Sequence, residues 1–317
     1  MRTRAIIPPL LRGQAFLTTD LPPGIAGRSR LRAADVQRPS RGVRAIDLDL
    51  GEILDRCAGY APRMPVGQAF SHTTAALLYR IPLPPSAASA RILHVAVSEL
   101  AQPPRVIGVV GHTLGGIDEG FREHRGFVVT DPVSTWCQLA TQLSLYDLVA
   151  AGDYLVSGRV TDEGREPPLA TVAELRAGVL RHARRRGAKK LREAIERVRT
   201  GVDSRPETWL RLILVDDGLP EPVVNEAIFG TSGRRLGKPD LAYPWARLLF
   251  EYEGDEHRVN KDRFRRDIAR RESFEAEQWR VIRVVPDDIF TNQRAFLIRV
   301  RRIIAQQTSA NLQSWSL

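Results

Sequence analysis

Residues 247–253, RLLFEYE, alternate with a period of two. Side chains point to opposite faces along a strand, so Leu248, Phe250 and Tyr252 share one face and Leu249, Glu251 and Glu253 the other. The first face is apolar and can enter a core. The second carries two carboxylates about 7 Å apart, at a rise of roughly 3.3 Å per residue. Gly254 ends the run. Upstream, Pro239-Asp240 opens a second short strand over 240–243, and Pro244-Trp245-Ala246 supplies the turn between them. A hairpin of this kind brings Asp240 beside Glu251, eleven positions on.

Acids converging at strand ends are a common way to hold Mg2+ or Mn2+, which take oxygen ligands and keep several waters. Such an ion clamps a phosphate and acidifies a bound water. Asp240 and Glu251 are the leading ligands by this reading. The flank is cationic: residues 258–271 hold seven Lys/Arg and two Asp, a net of +5. A second basic run, 181–200, holds nine Lys/Arg and two Glu, a net of +7. Together they exceed the +10 of the whole chain, so the remainder is close to neutral. A charge run is commonly a solvated helix face. Two such runs flanking an acidic pocket are expected to favour a phosphodiester polymer, because phosphate contacts supply most non-specific affinity. The candidate phosphate contacts are Arg184, Arg185, Arg186, Lys189 and Lys190 in one run, and Arg258, Lys261, Arg265 and Arg271 in the other.

The order P-D…E-Y-E-G-D-x-H, then R-R-D, then W-R-V-I-R-V, resembles the PD-(D/E)XK restriction-endonuclease-like superfamily. Within it the chain is similar to the branch related to very short patch repair endonucleases. Asp240, Glu251, Gly254, His257, Asp267, Trp279 and Arg283 carry the resemblance, and Ser204-Arg-Pro-Glu207 looks like the S-x-x-E that opens that family's first helix. The resemblance spans roughly residues 176–306. It implies a mixed sheet flanked by helices, Mg2+ (or Mn2+) as cofactor, DNA as partner and phosphodiester hydrolysis, in defence or repair. The metal set it implies is Asp240, Glu251, Glu253 and Glu207. Glu253 stands where that branch has an acid and the wider superfamily has lysine; a carboxylate there is a further metal ligand or a base toward water. Glu207 reaches the same metals or caps its helix. His257 is a general acid or base near neutral pH, or a loop residue making hydrogen bonds. Related sequences often carry a second histidine just before it, where this chain has Glu256. Asp267 reads as a salt-bridge partner within its helix.

At 317 residues, with 43% hydrophobic and 26% charged residues, the chain has the composition of a folded protein of two domains. Its pI near 10.2 favours polyanionic partners. Two distant cysteines, Cys57 and Cys137, form no metal pattern and point to a reducing cytoplasm. No apolar run approaches 18 residues, so no membrane span is expected. The first residues hold no sustained apolar stretch before Pro8, so no signal peptide is expected.

The expected organisation is a poorly patterned segment over 1–60, a smaller α+β domain over 61–175 and the endonuclease-like α/β domain over 176–317. Prolines and glycines break every helical window of the first segment, leaving a short helix-like piece after Arg28 and then a strand over 42–46. In the middle domain, helices are expected near Ser71, after Asp131-Pro132 and over 144–151, with strands over 92–97, 106–111 and 127–130. The order F-S-H-x-T-A-A…H-V-A-V…G-H…V-T-D-P resembles the C-terminal part of abortive-infection type IV antitoxins. Related proteins often place a small winged-helix unit ahead of this region; here a surface segment capping the next domain fits the residues better. The antitoxin-like region implies a cognate toxin or another defence partner. His72, His94 and His112 are widely spaced, with no local pair and no cysteine partner, so a structural or surface role is expected of them. Asp131 is expected as a helix cap and Asp153 as an exposed acid. In the C-terminal part a helix is expected over 205–217, strands over 223–229 and 279–285, a long basic helix over 260–278 and a final helix over 288–305 with Phe290, Leu297 and Ile298 inward.

Two functions follow. One is a metal-dependent DNA endonuclease. The other is a nuclease-fold protein, catalytically altered at Glu253 and Glu256, used for DNA binding or antitoxin-type regulation.

Overall fold

The structure is a computed structural model. It describes residues 11–21, 27, 29–99, 101–114, 120–254 and 270–314, with side chains to Thr308. The chain divides into two compact units: Met1–Gln142 with Arg184–Gly187, and Leu143–Ala183 with Ala188–Leu317.

In the first unit, β1 (Gln14–Leu17) pairs antiparallel with β2 (Val43–Ile46), and α1 (Ile53–Tyr60) follows. The described helical pieces of 1–60 include the 3-10 turn Arg30–Arg32 and α1. The expected break at 60/61 does not separate units, because α1 packs both on this strand pair and on the next helix. The elements that follow are β3 (Gln68–Phe70), α2 (His72–Leu78), α3 (Pro85–Ala88), β4 (Leu93–Ser98), β5 (Arg105–Val106), β6 (Val109–Leu114), β7 (Phe121–His124), β8 (Phe127–Thr130) and α4 (Pro132–Leu139). Six of them form a mixed sheet in the order β5-β6-β4-β3-β8-β7. The inner pairings β4–β6 and β3–β8 are parallel, and β3–β4 is antiparallel. Asp131 caps α4: its Oδ1 accepts from Val133 N at 2.9 Å and Ser134 N at 3.0 Å, with Pro132 at the first helical position. The strand expected over 106–111 begins later and runs on to Leu114, which places His112 inside it.

The second unit opens with α5 (Leu145–Ser157), capped by Ser144. A short hairpin, β9 (Val160–Thr161) and β10 (Gly164–Arg165), precedes α6 (Val172–Arg181), α7 (Ala188–Arg197) and α8 (Arg205–Asp216). Helix α5 packs on α7 and α8, which is why the break falls at 142/143 and not at 175/176. Asp153 is part of that packing. Against expectation it is buried, 1% exposed, and pairs with the equally buried Arg211 at 2.9 Å. Thr208 Oγ1 and the Arg199 amide also donate to it, at 2.8 and 2.7 Å. A carboxylate in that position needs every one of these donors, since an unpaired buried charge is strongly destabilising.

The remaining strands are β11 (Val223–Val224), β12 (Ile228–Phe229), β13 (Arg235–Gly237), β14 (Leu241–Tyr243), β15 (Leu248–Tyr252) and β16 (Arg280–Val284). The single strand expected over 223–229 is therefore two, and they enter different sheets. A four-stranded mixed sheet has the order β11-β14-β15-β16, with β14–β15 antiparallel and β15–β16 parallel. The alternation in RLLFEYE distributes its side chains to two cores. Leu248 and Phe250 pack with Leu210, Leu214, Phe296 and Val300, while Leu249 packs with Ile228, Leu236, Ala242 and Phe274. Gly237 is needed for the second contact. A Cβ there would stand 2.8 Å from Phe274 Cζ and 3.0 Å from Arg270 Cδ. The final helical stretch is broken into Pro286–Phe290 and Gln293–Ser314. This shifts the buried stripe of the last helix to Phe296 and Val300, and Ile298, expected inward, is 61% exposed. Among the described residues, no helix is long and apolar enough to cross a membrane.

Candidate functional site

Two clusters of titratable side chains stand out, one in each unit. The acidic one is built on the β14–β15 hairpin. The register pairs Leu241 with Phe250; continued one residue, it sets Asp240 opposite Glu251. Asp240 lies just ahead of β14, where its backbone carbonyl accepts from Asn225 N at 3.0 Å. Its Oδ2 accepts from Tyr252 N at 2.7 Å, which fixes the carboxyl against β15. Glu207 enters from the first turn of α8. Ser204 caps this helix, and the pair is reciprocal, with Ser204 Oγ donating to Glu207 Oε1 at 2.8 Å. Glu207 Oε2 accepts from Asp203 N at 3.0 Å and Asn225 Nδ2 at 2.6 Å.

Three donors should hold Glu207 ionised, yet burial outweighs them. Burial first, and then the negative charge of Asp240, push its carboxyl up to about 7. Asp240 is raised too, again chiefly by burial, with the Tyr252 amide and Arg270 pulling the other way. Glu251 pairs with Arg270 at 2.9 Å, and Asp203 pairs with Lys238 at 3.0 Å and with Arg165. Glu253 is turned elsewhere: half-exposed, it pairs with Arg283 at 3.0 Å, while its backbone amide bonds Val284 O. The hairpin thus sets Asp240 opposite Glu251, with Glu207 within electrostatic reach of Asp240 and Lys238 and Arg270 as cations, but the three carboxyls do not all come within 4.8 Å of one another, and Glu253 is left to the side. His257, Arg258, Lys261, Arg265, Glu256 and Asp267 lie outside the described residues.

The basic run over 181–200 is divided by a turn at 182–187 between α6 and α7. Arg184, Arg186 and Lys189 are exposed and Arg185 is half-buried. Lys190 is taken up inside its own unit, Nζ donating to Leu143 O at 2.5 Å. Arg271 pairs with Glu275 one helical turn on, at 2.8 Å.

The second cluster is the three histidines whose sequence spacing gave no metal signal. His72 starts α2 with a left-handed backbone, φ +50, and its amide donates to Gln138 Oε1 at 2.9 Å. Ser71, in the cap position, makes no cap bond with its side chain; its Oγ lies 3.0 Å from His72 Nδ1. His94 and His112 come from the neighbouring parallel strands β4 and β6. Ala96 is the register partner of His112, so the two histidines are offset by two residues and fall on one face. His94 Nδ1 stands 2.8 Å from His112 Nε2, and the His72 ring stacks on that of His112 with centroids 3.7 Å apart. Burial, and then His112, push His94 down to about 4; burial lowers His112 as well. Both shifts favour the neutral imidazole. One ring nitrogen from each of the three residues lies within 4.8 Å of the others. Among the described residues, this is the one group of three or more His, Cys, Asp or Glu that meets that spacing.

Comparison with known proteins gives two uncharacterised relatives from Mycobacterium tuberculosis, one in strain CDC 1551 and one in strain H37Rv. Each is 28% identical to this chain over 130 residues, which is 41% of this chain and 48% of the relative. The chain therefore spans about half the length of the curated relatives it matches. No protein-family model matches the chain. No solved structure matches it.

Proposed function

We propose that the second unit is a divalent-metal-dependent phosphodiesterase acting on DNA, with a restriction-endonuclease-like sheet as its frame. The observation that carries this reading is the paired burial of Asp240 and Glu207 at the hairpin opposite Glu251. Buried carboxyls pushed up by desolvation, with Asp240 adding its charge to Glu207 and Asp203 its charge to Asp240, hold an excess of negative potential that a cation relieves. The donor set is all oxygen, as Mg2+ and Mn2+ prefer, and such ions are commonly held by one or two carboxylates plus water. Asp240 and Glu251 would hold the ion, which supplies a clamp on the phosphate and a water acidic enough to attack. Tyr252 N orients Asp240 for that task. Glu207, titrating near neutral pH, is fitted to take or give a proton. Arg270 would exchange Glu251 for a phosphate oxygen.

A second reading is favoured by the arginines. Arg270 and Arg283 already neutralise Glu251 and Glu253, as in a frame kept for DNA binding or regulation without cleavage. Incubating the full-length protein with supercoiled plasmid and Mg2+ or Mn2+ separates the two. On the hydrolytic reading the plasmid is nicked or linearised, and D240N or E251Q slows this by roughly 100-fold or more. Duplex binding with no cleavage of DNA or RNA in Mg2+, Mn2+ or Co2+ would establish the binding reading instead.

A further inference from the structure

We infer that His72, His94 and His112 form a binding site for a divalent transition-metal ion of the Zn2+ class, with a fourth position open to water. The site belongs to the first unit and is independent of the acidic hairpin. Imidazole nitrogens select Zn2+, Co2+, Ni2+ or Cu2+ over the oxygen-seeking Mg2+. Three protein ligands with one position left over is the pattern of open zinc sites.

The His94–His112 pair is close to what such an ion needs, whereas the His72 ring, stacked on His112 with planes 20° apart, has to turn to aim its lone pair at the same point. Two imidazole nitrogens bound at about 2.0–2.1 Å stand roughly 3.0–3.4 Å apart. His94 Nδ1 and His112 Nε2, at 2.8 Å, need to part by only about half an ångström to reach that range. His72 is held over the pair by three restraints. Its ring stacks on His112, its amide is bonded to Gln138, and Ser71 Oγ lies against Nδ1. Contact with one ring nitrogen is how an outer partner orients an imidazole that ligates through the other. The backbone points the same way. A non-glycine residue at positive φ is uncommon and costs free energy, and residues held so tend to occur at functional sites. His94 is fixed as firmly, its amide accepting no freedom: it donates to Thr74 Oγ1 at 2.7 Å, and its carbonyl accepts from Ser71 N at 3.0 Å. Gln142 Nε2, 3.5 Å from His94 Nδ1, borders the cluster.

The test titrates chelator-treated full-length protein with Co2+ and follows its visible ligand-field absorption, with Zn2+ as competitor. One equivalent per chain is expected, with an intense tetrahedral-type spectrum displaced by Zn2+ and unaffected by excess Mg2+. Loss of a ligand should exceed the 10–100-fold typical of an outer partner. H94A and H112A should therefore weaken Co2+ binding by more than about 100-fold, and S71A by roughly 10-fold. H124A, in a histidine outside the cluster, should leave it unchanged. If H94A or H112A fails to fold, the size-conserving H112Q and the wild-type stoichiometry carry the test. Wild-type protein that binds no Co2+ at micromolar concentration would overturn the inference, as would binding that survives in H112Q. In either case the trio would be a stacked, hydrogen-bonded part of the fold.

Discussion

Glu207 shows how much a single carboxyl can say about a site. Its pKa, near 7 in the folded chain against an ordinary 4.5, means that the native protein keeps a proton the unfolded chain has released. The unfolded state binds fewer protons between these values, so this group's contribution makes stability fall as pH rises through that window. The penalty is complete above about 7 and is on the order of 3 kcal/mol. E207Q removes the titration. Its melting temperature relative to the wild type is expected to climb between pH 5 and pH 8; a difference that stays flat with pH would mean the carboxyl is not raised. The positions of Asp240 and Glu251 were legible in the sequence, because strand alternation and a Pro-Trp-Ala turn leave few ways to arrange them. The histidine cluster was not. Its members come from a helix start and two strands whose parallel pairing no local pattern announces. The strand expected to end at Gly111 also left His112 outside the sheet. The available signal was His94 between two apolar strand residues, Leu93 and Val95, and a serine immediately before His72.

At the scale of elements, the two-sided burial of β15 sets the tolerances. Gly237 on β13 lets the helical residues 270–276 approach closely enough for Phe274 to fill the second core and Arg270 to reach Glu251. A methyl at that position meets a fully buried ring that has nowhere to go. G237A is expected to destabilise by about 1–3 kcal/mol, the usual range for overpacking, read from denaturant unfolding. A neutral result would show that Phe274 can shift. Elements divided where the sequence suggested continuity, as at 223–229 and 288–305. In the first, Asn225, with φ +50, separates two strands that belong to different sheets. In the second, Thr291 and Asn292 interrupt the helix without a glycine or proline to mark the break. Propensity alone is silent at such places, where tertiary packing decides.

For the molecule as a whole, the informative residue is Asp153. Its pairing with Arg211 binds α5 to α8, and so ties the helix that opens the second unit to the helix carrying Glu207. Removing Asp153 takes from the buried Arg211 one of its two carboxylate partners, the other being Glu221 at 2.8 Å. D153A should cost about 3–5 kcal/mol, and D153A/R211M should recover much of it; additive losses in a double-mutant cycle would contradict the coupling. The pair also bears on how the chain can be cut. A cut near residue 176 leaves Arg211 with Glu221 but without Asp153, whereas a cut near 143 keeps all three ions on one piece, so a fragment meant to fold by itself has to include α5.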